Sequence, residues 1–113
     1  MEDCVFCKII AGEIPSTKVY ENEFVYAFDD INPEAPVHTL IVPKNHIASL
    51  VDPLVEQEVL GHLLAAVPVV AEIKGIADSG FRTVINTGKD ANQIVKHLHL
   101  HVIGGEFLGE GIR

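Results

Sequence analysis

The chain has 113 residues and a formal charge of −8, from eight Lys and Arg against sixteen Asp and Glu, with 48% apolar and 21% charged residues. That suits one domain over 1–113, with enough apolar material for a core and no case for disorder. Apolar runs fall far short of the roughly 20 residues of a bilayer span, and scattered lysines in an acidic background argue against a nucleic-acid polymer as partner.

A small phosphate ester stays open, because a pocket can supply its own local donors. The Met1-Glu2-Asp3 start is acidic and no apolar signal-peptide core follows it, so the expected compartment is the cytoplasm and no membrane is expected. Residues 5–11 read as a short helix stopped by Gly12. Lys18–Glu21 and residues 24–28 read as two strands around a turn at Glu21-Asn22-Glu23. Residues 29–36, with two prolines, form a loop, and 38–42 a strand ended by Pro43. Residues 53–74 carry the one long helical pattern, with Asp52 as cap, Pro53 at the first position, Gly75 as stop, and Val59, Leu60, Leu63, Leu64, Val67 and Val70 at helical spacing. Pro68 lies inside it and is expected to kink or divide it. Residues 81–86 form a strand, 87–92 a loop, 98–103 a last strand before Gly104-Gly105, and 106–113 a loosely held tail. Five short strands, one long helix and a short N-terminal helix predict an α+β fold with a mainly antiparallel sheet.

Cys4 and Cys7 form a Cys-x-x-Cys pair, which in a cytosolic chain points to a redox dithiol or half of a zinc site, and less to a structural disulfide. His97-Leu98-His99-Leu100-His101 is the most informative segment. Along a strand, side chains alternate, so the three histidines share one face about 7 Å apart while Leu98, Leu100 and Val102 enter the core. Three of six histidines at consecutive same-face positions are hard to explain as a solvated face. A tract built only to bind metal is the competing functional reading.

His-φ-His-φ-His-φ-φ resembles the signature of the histidine-triad nucleotide-binding proteins, and the resemblance covers nearly the whole chain. Cys-Val-Phe-Cys-Lys-Ile-Ile and Glu13-Ile14-Pro15 resemble that family's opening. The run Ala27-Phe28-Asp29-Asp30-Ile31-Asn32-Pro33, then Ala35-Pro36-Val37-His38 and Ile41-Val42-Pro43-Lys44-Asn45-His46, resembles its middle. Asn86-Thr87-Gly88 and Gln93 precede the triad, and Gly104-Gly105 follows it, as in the Hint branch.

The resemblance implies a purine nucleoside phosphoramidase working at the α-phosphate through a nucleotidyl-histidine. His99 is the implied nucleophile, suited to it because a neutral imidazole carries a free lone pair near pH 7. His101 is expected on the phosphate or leaving-group side, and His38 behind the nucleophile, fixing its tautomer. Asp30 corresponds to the ribose-binding acid, with Phe6, Ile9, Phe28 and Ile31 as an apolar slot for the base. Asn86, Asn92, Gln93 and Ile94 match phosphate-holding positions. The chain departs from the branch at Ile94, where Ser, Thr or Glu is frequent, leaving only a backbone donor there, and at Asn92, where glycine is common. Cys4, Cys7, His46 and His97 match a structural Cys₂His₂ zinc set found in bacterial members. The chemistry itself needs no metal. A homodimer is implied, with residues 60–73 and strand 81–86 as the candidate contact. Rival readings are a dinucleoside polyphosphate hydrolase, as in the Fhit branch, and a non-catalytic nucleotide sensor or zinc-stabilised adaptor. The tail lacks the Trp-Pro-Pro-Gly ending of animal Hint proteins. His62 is expected to be structural or superficial, Asp29 and Asp30 point to opposite faces, and no phosphate-binding G-x-x-x-x-G-K-[ST] loop is present.

Overall fold

Alternation of apolar side chains along three central strands decides which face of the sheet each helix covers. The computed structural model describes residues 3–113, so Met1 and Glu2, two of the three residues of the acidic start, lie outside the described residues. The elements are α1 (Val5–Ile10), β1 (Lys18–Glu21), β2 (Val25–Asp29), β3 (Val37–Pro43), α2 (Gln57–Ile73), β4 (Phe81–Val84) and β5 (Leu100–Gly104). The strands form one antiparallel sheet in the order β1-β2-β3-β5-β4, the α+β architecture expected. Val25 and Ala27 of β2, Ile41 of β3, and Leu100 and Val102 of β5 pack on one side with Leu63, Ala66, Val67, Val70 and Ala71 of α2. On the other side Phe28, Leu40 and Val42 pack against Phe6 of α1. His38 shares the Leu40 and Val42 face by alternation, and His101 lies across the ladder from Leu40. The histidines therefore belong to the α1 side, with α2 behind the sheet. No helix among the described residues is long and apolar enough to cross a membrane.

Several boundaries differ from the sequence reading. α2 starts at Gln57, not at residue 53, and Asp52 caps a preceding turn instead. Its carboxylate accepts from Ala48 N (2.9 Å) and Leu54 N (2.8 Å), and these bonds hold its pKa below the usual range. Once both oxygens serve that turn, α2 begins after Glu56 with no side-chain cap. Pro68 does not divide the helix: it lies on the exposed face with Leu64, where a carbonyl that loses its helical donor can meet water. Leu64 is 57% exposed, and the small Ala66 and Ala71 are buried in the positions that let α2 sit close to the sheet. β4 ends at Val84 and β5 starts at Leu100, so both are shorter at their N- or C-terminal ends than expected. The tail is held at one point: the Arg82 guanidinium donates to the carbonyls of Leu108 and Gly109. His62 stacks on Phe24 with ring centroids 3.6 Å apart, a structural role as expected.

The Gly104-Gly105 pair has two separate causes. A Cβ on Gly104 would meet Gly80 O and Ile76 Cδ1 at 3.1 Å, and Gly105 has φ +93° with Pro36 Cβ 2.9 Å from where its own Cβ would stand. Gly105→Ala is therefore expected to cost about 2 kcal/mol and lower Tm by about 10 °C, measured by urea and thermal unfolding.

Candidate active site and metal centre

The triad begins before the sheet does. His97 and His99 precede β5, and Leu98 N donates to Ile47 O at 2.7 Å, outside the ladder. Alternation persists all the same: Leu98, Leu100 and Val102 are buried on the α2 side, while the His99 and His101 rings meet at 5.0 Å on the other. Phe6 touches both His97 (5.8 Å) and His99 (5.1 Å) edge-on.

Hydrogen-bond partners fix the tautomers. His99 Nδ1 lies 2.6 Å from the His97 carbonyl, which can only accept, so Nδ1 carries the proton and Nε2 keeps its lone pair. His38 Nδ1 receives the Glu34 backbone N–H at 3.1 Å, so its Nε2 is the protonated nitrogen and donates to His101 Nδ1 at 2.9 Å. His101 then presents Nε2–H, a buried donor without a partner among the described residues. Burial, followed by the neighbouring His99 and His38, depresses the His101 pKa to about 4 against the opposing pull of Asp30. Burial also lowers the pKa of His99, outweighing its bond to the His97 carbonyl. Both rings are neutral at pH 7. The expected role of His38 is corrected here: it sets the tautomer of His101, not of His99, whose orientation comes from main chain. Asp30 Oδ2 lies 3.5 Å from His38 Nε2. Asp30, His38 and His101 come close enough for a metal, but His38 Nε2–H already donates to His101 Nδ1, so neither nitrogen of that contact has a free lone pair.

These rings line a cleft of about 580 Å³, within the range of small-molecule sites. Phe6, Ile9, Phe28 and Ile31, the four residues expected around a base, are part of its apolar lining, and Ile31 is 90% exposed. Asp30, Asn86, Asn92 and Ile94 also line it. Asn92 takes φ 58°, the left-handed region that asparagine tolerates better than most residues, so glycine is not required there. Asp29 turns to the α2 side, where Lys74 Nζ (2.9 and 3.0 Å) and the Thr39 hydroxyl (3.0 Å) bond it. Gln93 is the expected binding residue that the cleft leaves out. Its Oε1 accepts from Gly88 N (3.0 Å), its Nε2 donates to Ala48 O (2.8 Å) and Val95 O (3.1 Å), and its backbone N–H goes to Gly88 O (3.0 Å). With those groups spent, Gln93 braces the loop that carries Asn86 and Asn92. The sequence reading missed Glu34, which acts through its main-chain N–H and so leaves no residue-type signal. Ile14 and Pro15 of the family-like Glu13-Ile14-Pro15 run also line the cleft, beyond the residues the sequence predicts for it.

The other expected cluster is assembled at the edge of this cleft. Ligand atoms of Cys4, Cys7, His46 and His97 all lie within 4.8 Å of one another. Cys4 Sγ is 3.3 Å from His97 Nδ1, and Cys7 Sγ is 3.3 Å from His46 Nδ1 and 3.6 Å from His97 Nδ1. Ligands around a tetrahedral Zn²⁺, with Zn–S about 2.3 Å and Zn–N about 2.0 Å, stand about 3.5 Å apart. His97 Nε2–H donates to the Pro43 carbonyl at 2.9 Å, which leaves Nδ1 as the lone pair facing the thiols. Cys4 also caps α1, accepting from Cys7 N at 3.4 Å. The donor set and its orientation fit a metal ion.

A description of the HIT domain matches residues 11–108. Protein HitA of Neisseria gonorrhoeae is 49% identical over 105 residues, spanning 92% of this chain and 97% of that protein. The purine nucleoside phosphoramidase of Escherichia coli is 43% identical over 109 residues, spanning 96% of this chain and 92% of that enzyme. A solved histidine triad protein from Clostridium difficile superposes with a TM-score of 0.94 at 48% identity, covering 98% of this chain and 97% of that one.

Three outcomes are expected. Gln93→Ala strands the Gly88 N–H and two carbonyls and should cost about 2 kcal/mol, with faster hydrogen exchange over 86–96. Gln93→Glu should be worse, because it sets a carboxylate oxygen against those carbonyls. For His101, the folded pKa lies below the unfolded one, so the unfolded chain binds more protons between about pH 4 and pH 6.5. Stability from this group is full above that window and lost as pH falls through it. Melting curves from pH 7 to 4.5 should thus fall less steeply for His101→Gln than for the unsubstituted chain.

Proposed function

The chain belongs to the HIT domain family, and we propose that it is a nucleotide hydrolase or transferase that cleaves purine nucleoside 5′-phosphoramidates at the α-phosphate. The observation that carries this reading is the 2.6 Å contact from His99 Nδ1 to the His97 carbonyl, which leaves a neutral Nε2 lone pair in the cleft. In the proposed reaction that lone pair attacks phosphorus, an N–P bond forms, and the P–N bond to the amine breaks. His101 offers Nε2–H to the departing nitrogen. His101 keeps its proton, because His38 Nε2–H occupies its Nδ1. Nε2–H therefore stabilises the departing nitrogen as a hydrogen bond, and the amine leaves with a proton taken from solvent. Water then breaks the His99–phosphorus bond and releases the nucleoside monophosphate. Asp30 keeps lone pairs for the ribose hydroxyls beyond its bond from Asn32 N. Asn86 and Asn92 flank the phosphate, and Ile94 adds no side-chain donor.

The lining of the cleft favours an amine leaving group over a polyphosphate. Asp30 and Glu34 face it, and neither lysine nor arginine is among its lining residues. The relative named a purine nucleoside phosphoramidase supports the same choice. The Cys4, Cys7, His46 and His97 set is read as a structural Zn²⁺ centre, since four protein ligands leave no open position for substrate. A reducing cytoplasm, the expected compartment, would keep both thiols free to ligate. A homodimer is proposed through the free edge of β4 and the outer face of α2, where Leu64, Val69 and Ile73 are exposed.

The test compares hydrolysis of adenosine 5′-phosphoramidate and diadenosine polyphosphate, with acid quenching and mass spectrometry of the enzyme. Faster phosphoramidate cleavage and an adduct on His99, both abolished in His99→Asn, are expected. Preference for the polyphosphate would overturn the substrate class. Nucleotide binding without turnover would favour the sensor reading.

A further inference from the structure

Six residues do not hold a helix unaided, so α1 stays where its side chains are anchored. It has two anchors, interleaved in sequence. Cys4 and Cys7 reach the cluster with His46 and His97, and Phe6 between them, 6% exposed, packs on the cluster's His97 (5.8 Å between rings) as well as on Phe28 (5.6 Å) and His99 (5.1 Å). Phe6 is also part of the cleft wall. A second connection runs through His97. Its ring points Nδ1 at Cys4 Sγ, while its carbonyl holds His99 Nδ1. Only a thin partition separates the cluster from the cleft, because Val5, Ile94 and Val95 line both the cleft and a second cavity of about 520 Å³ that opens on Cys4 and His46.

We propose that the Cys4, Cys7, His46 and His97 centre is a positioning device for the nucleotide cleft. A metal bound there fixes the Phe6 wall against which the base lies, and steadies the His97 carbonyl that orients His99. None of the four metal-binding side chains has to touch the nucleotide. Affinity for a nucleotide then depends on whether the centre is loaded. This rests on the metal and nucleotide readings given above, and goes beyond them by assigning the centre an effect on binding as well as on folding.

The experiment uses the full chain, reduced, either zinc-loaded or stripped with a chelator, with zinc measured by elemental analysis. Adenosine 5′-monophosphate binding is measured by calorimetry at a temperature well below the melting of both forms, so that a purely stabilising metal would leave it unchanged. Stripping should weaken binding about ten-fold (about 1.4 kcal/mol), and zinc should restore it. Phe6→Ala should retain zinc, bind the nucleotide about ten-fold more weakly when loaded, and respond less to stripping. Phe6→Leu should recover part of the affinity. If the chain neither holds nor takes up zinc, the metal reading fails and this proposal with it. If zinc binds but the nucleotide does not, the nucleotide reading fails, again with the proposal. If both bind and affinity is the same loaded and stripped, the positioning proposal alone is overturned, whatever Phe6→Ala does.

Discussion

One residue, His97, joins the thiol cluster to the nucleophile's side of the cleft. Its ring uses both nitrogens, Nε2–H toward Pro43 O and Nδ1 toward the thiols, and its carbonyl receives His99 Nδ1–H at 2.6 Å. The Pro43 bond ties the histidine segment to the end of β3, and the thiols tie it to α1. Orientation of His99 by a main-chain carbonyl costs no second ionisable group, so nothing nearby has to be kept charged. The arrangement is fully buried at His97, where an unpaired ring nitrogen would be costly.

Burial also sets the protonation of the cleft. A histidine in water is a mixture of two states near neutral pH. Here desolvation is the largest influence on both His99 and His101 and drives them toward the neutral form. Neutrality suits a lone-pair donor at His99, and at His101 it leaves Nε2–H as the donor, with Nδ1 occupied by His38. The carboxylate of Asp30 opposes the shift in both rings without prevailing.

Much of this was readable in the residues. Strict alternation from Leu98 to Val102 announced both the core and the shared histidine face, and it held even where the hydrogen-bonded ladder had not begun. The Cys-x-x-Cys pair, His46 and His97 could be grouped only through resemblance, since they lie far apart in the chain, and the fold brings them together. What the sequence hid was hydrogen-bond competition. Asp52 looks like a helix cap but is committed to the Ala48 and Leu54 amides. Gln93 looks like a phosphate ligand, yet its side chain is consumed by Gly88, Ala48 and Val95. His38 looks like a partner for the nucleophile, but its Nε2 reaches His101. Residue type declares what a side chain can bond, and only packing decides which partner takes it.

The interleaving of leucines and histidines across 97–101 has a consequence for how this chain can change over time. Any single-residue insertion or deletion there would exchange the two sets, pushing imidazoles under α2 and aliphatic groups into the cleft. Substitutions in that stretch can be sampled one at a time, whereas length changes cannot. Variation in length is therefore confined to the connecting loops, and the spacing of these five residues should outlast most of their neighbours' identities.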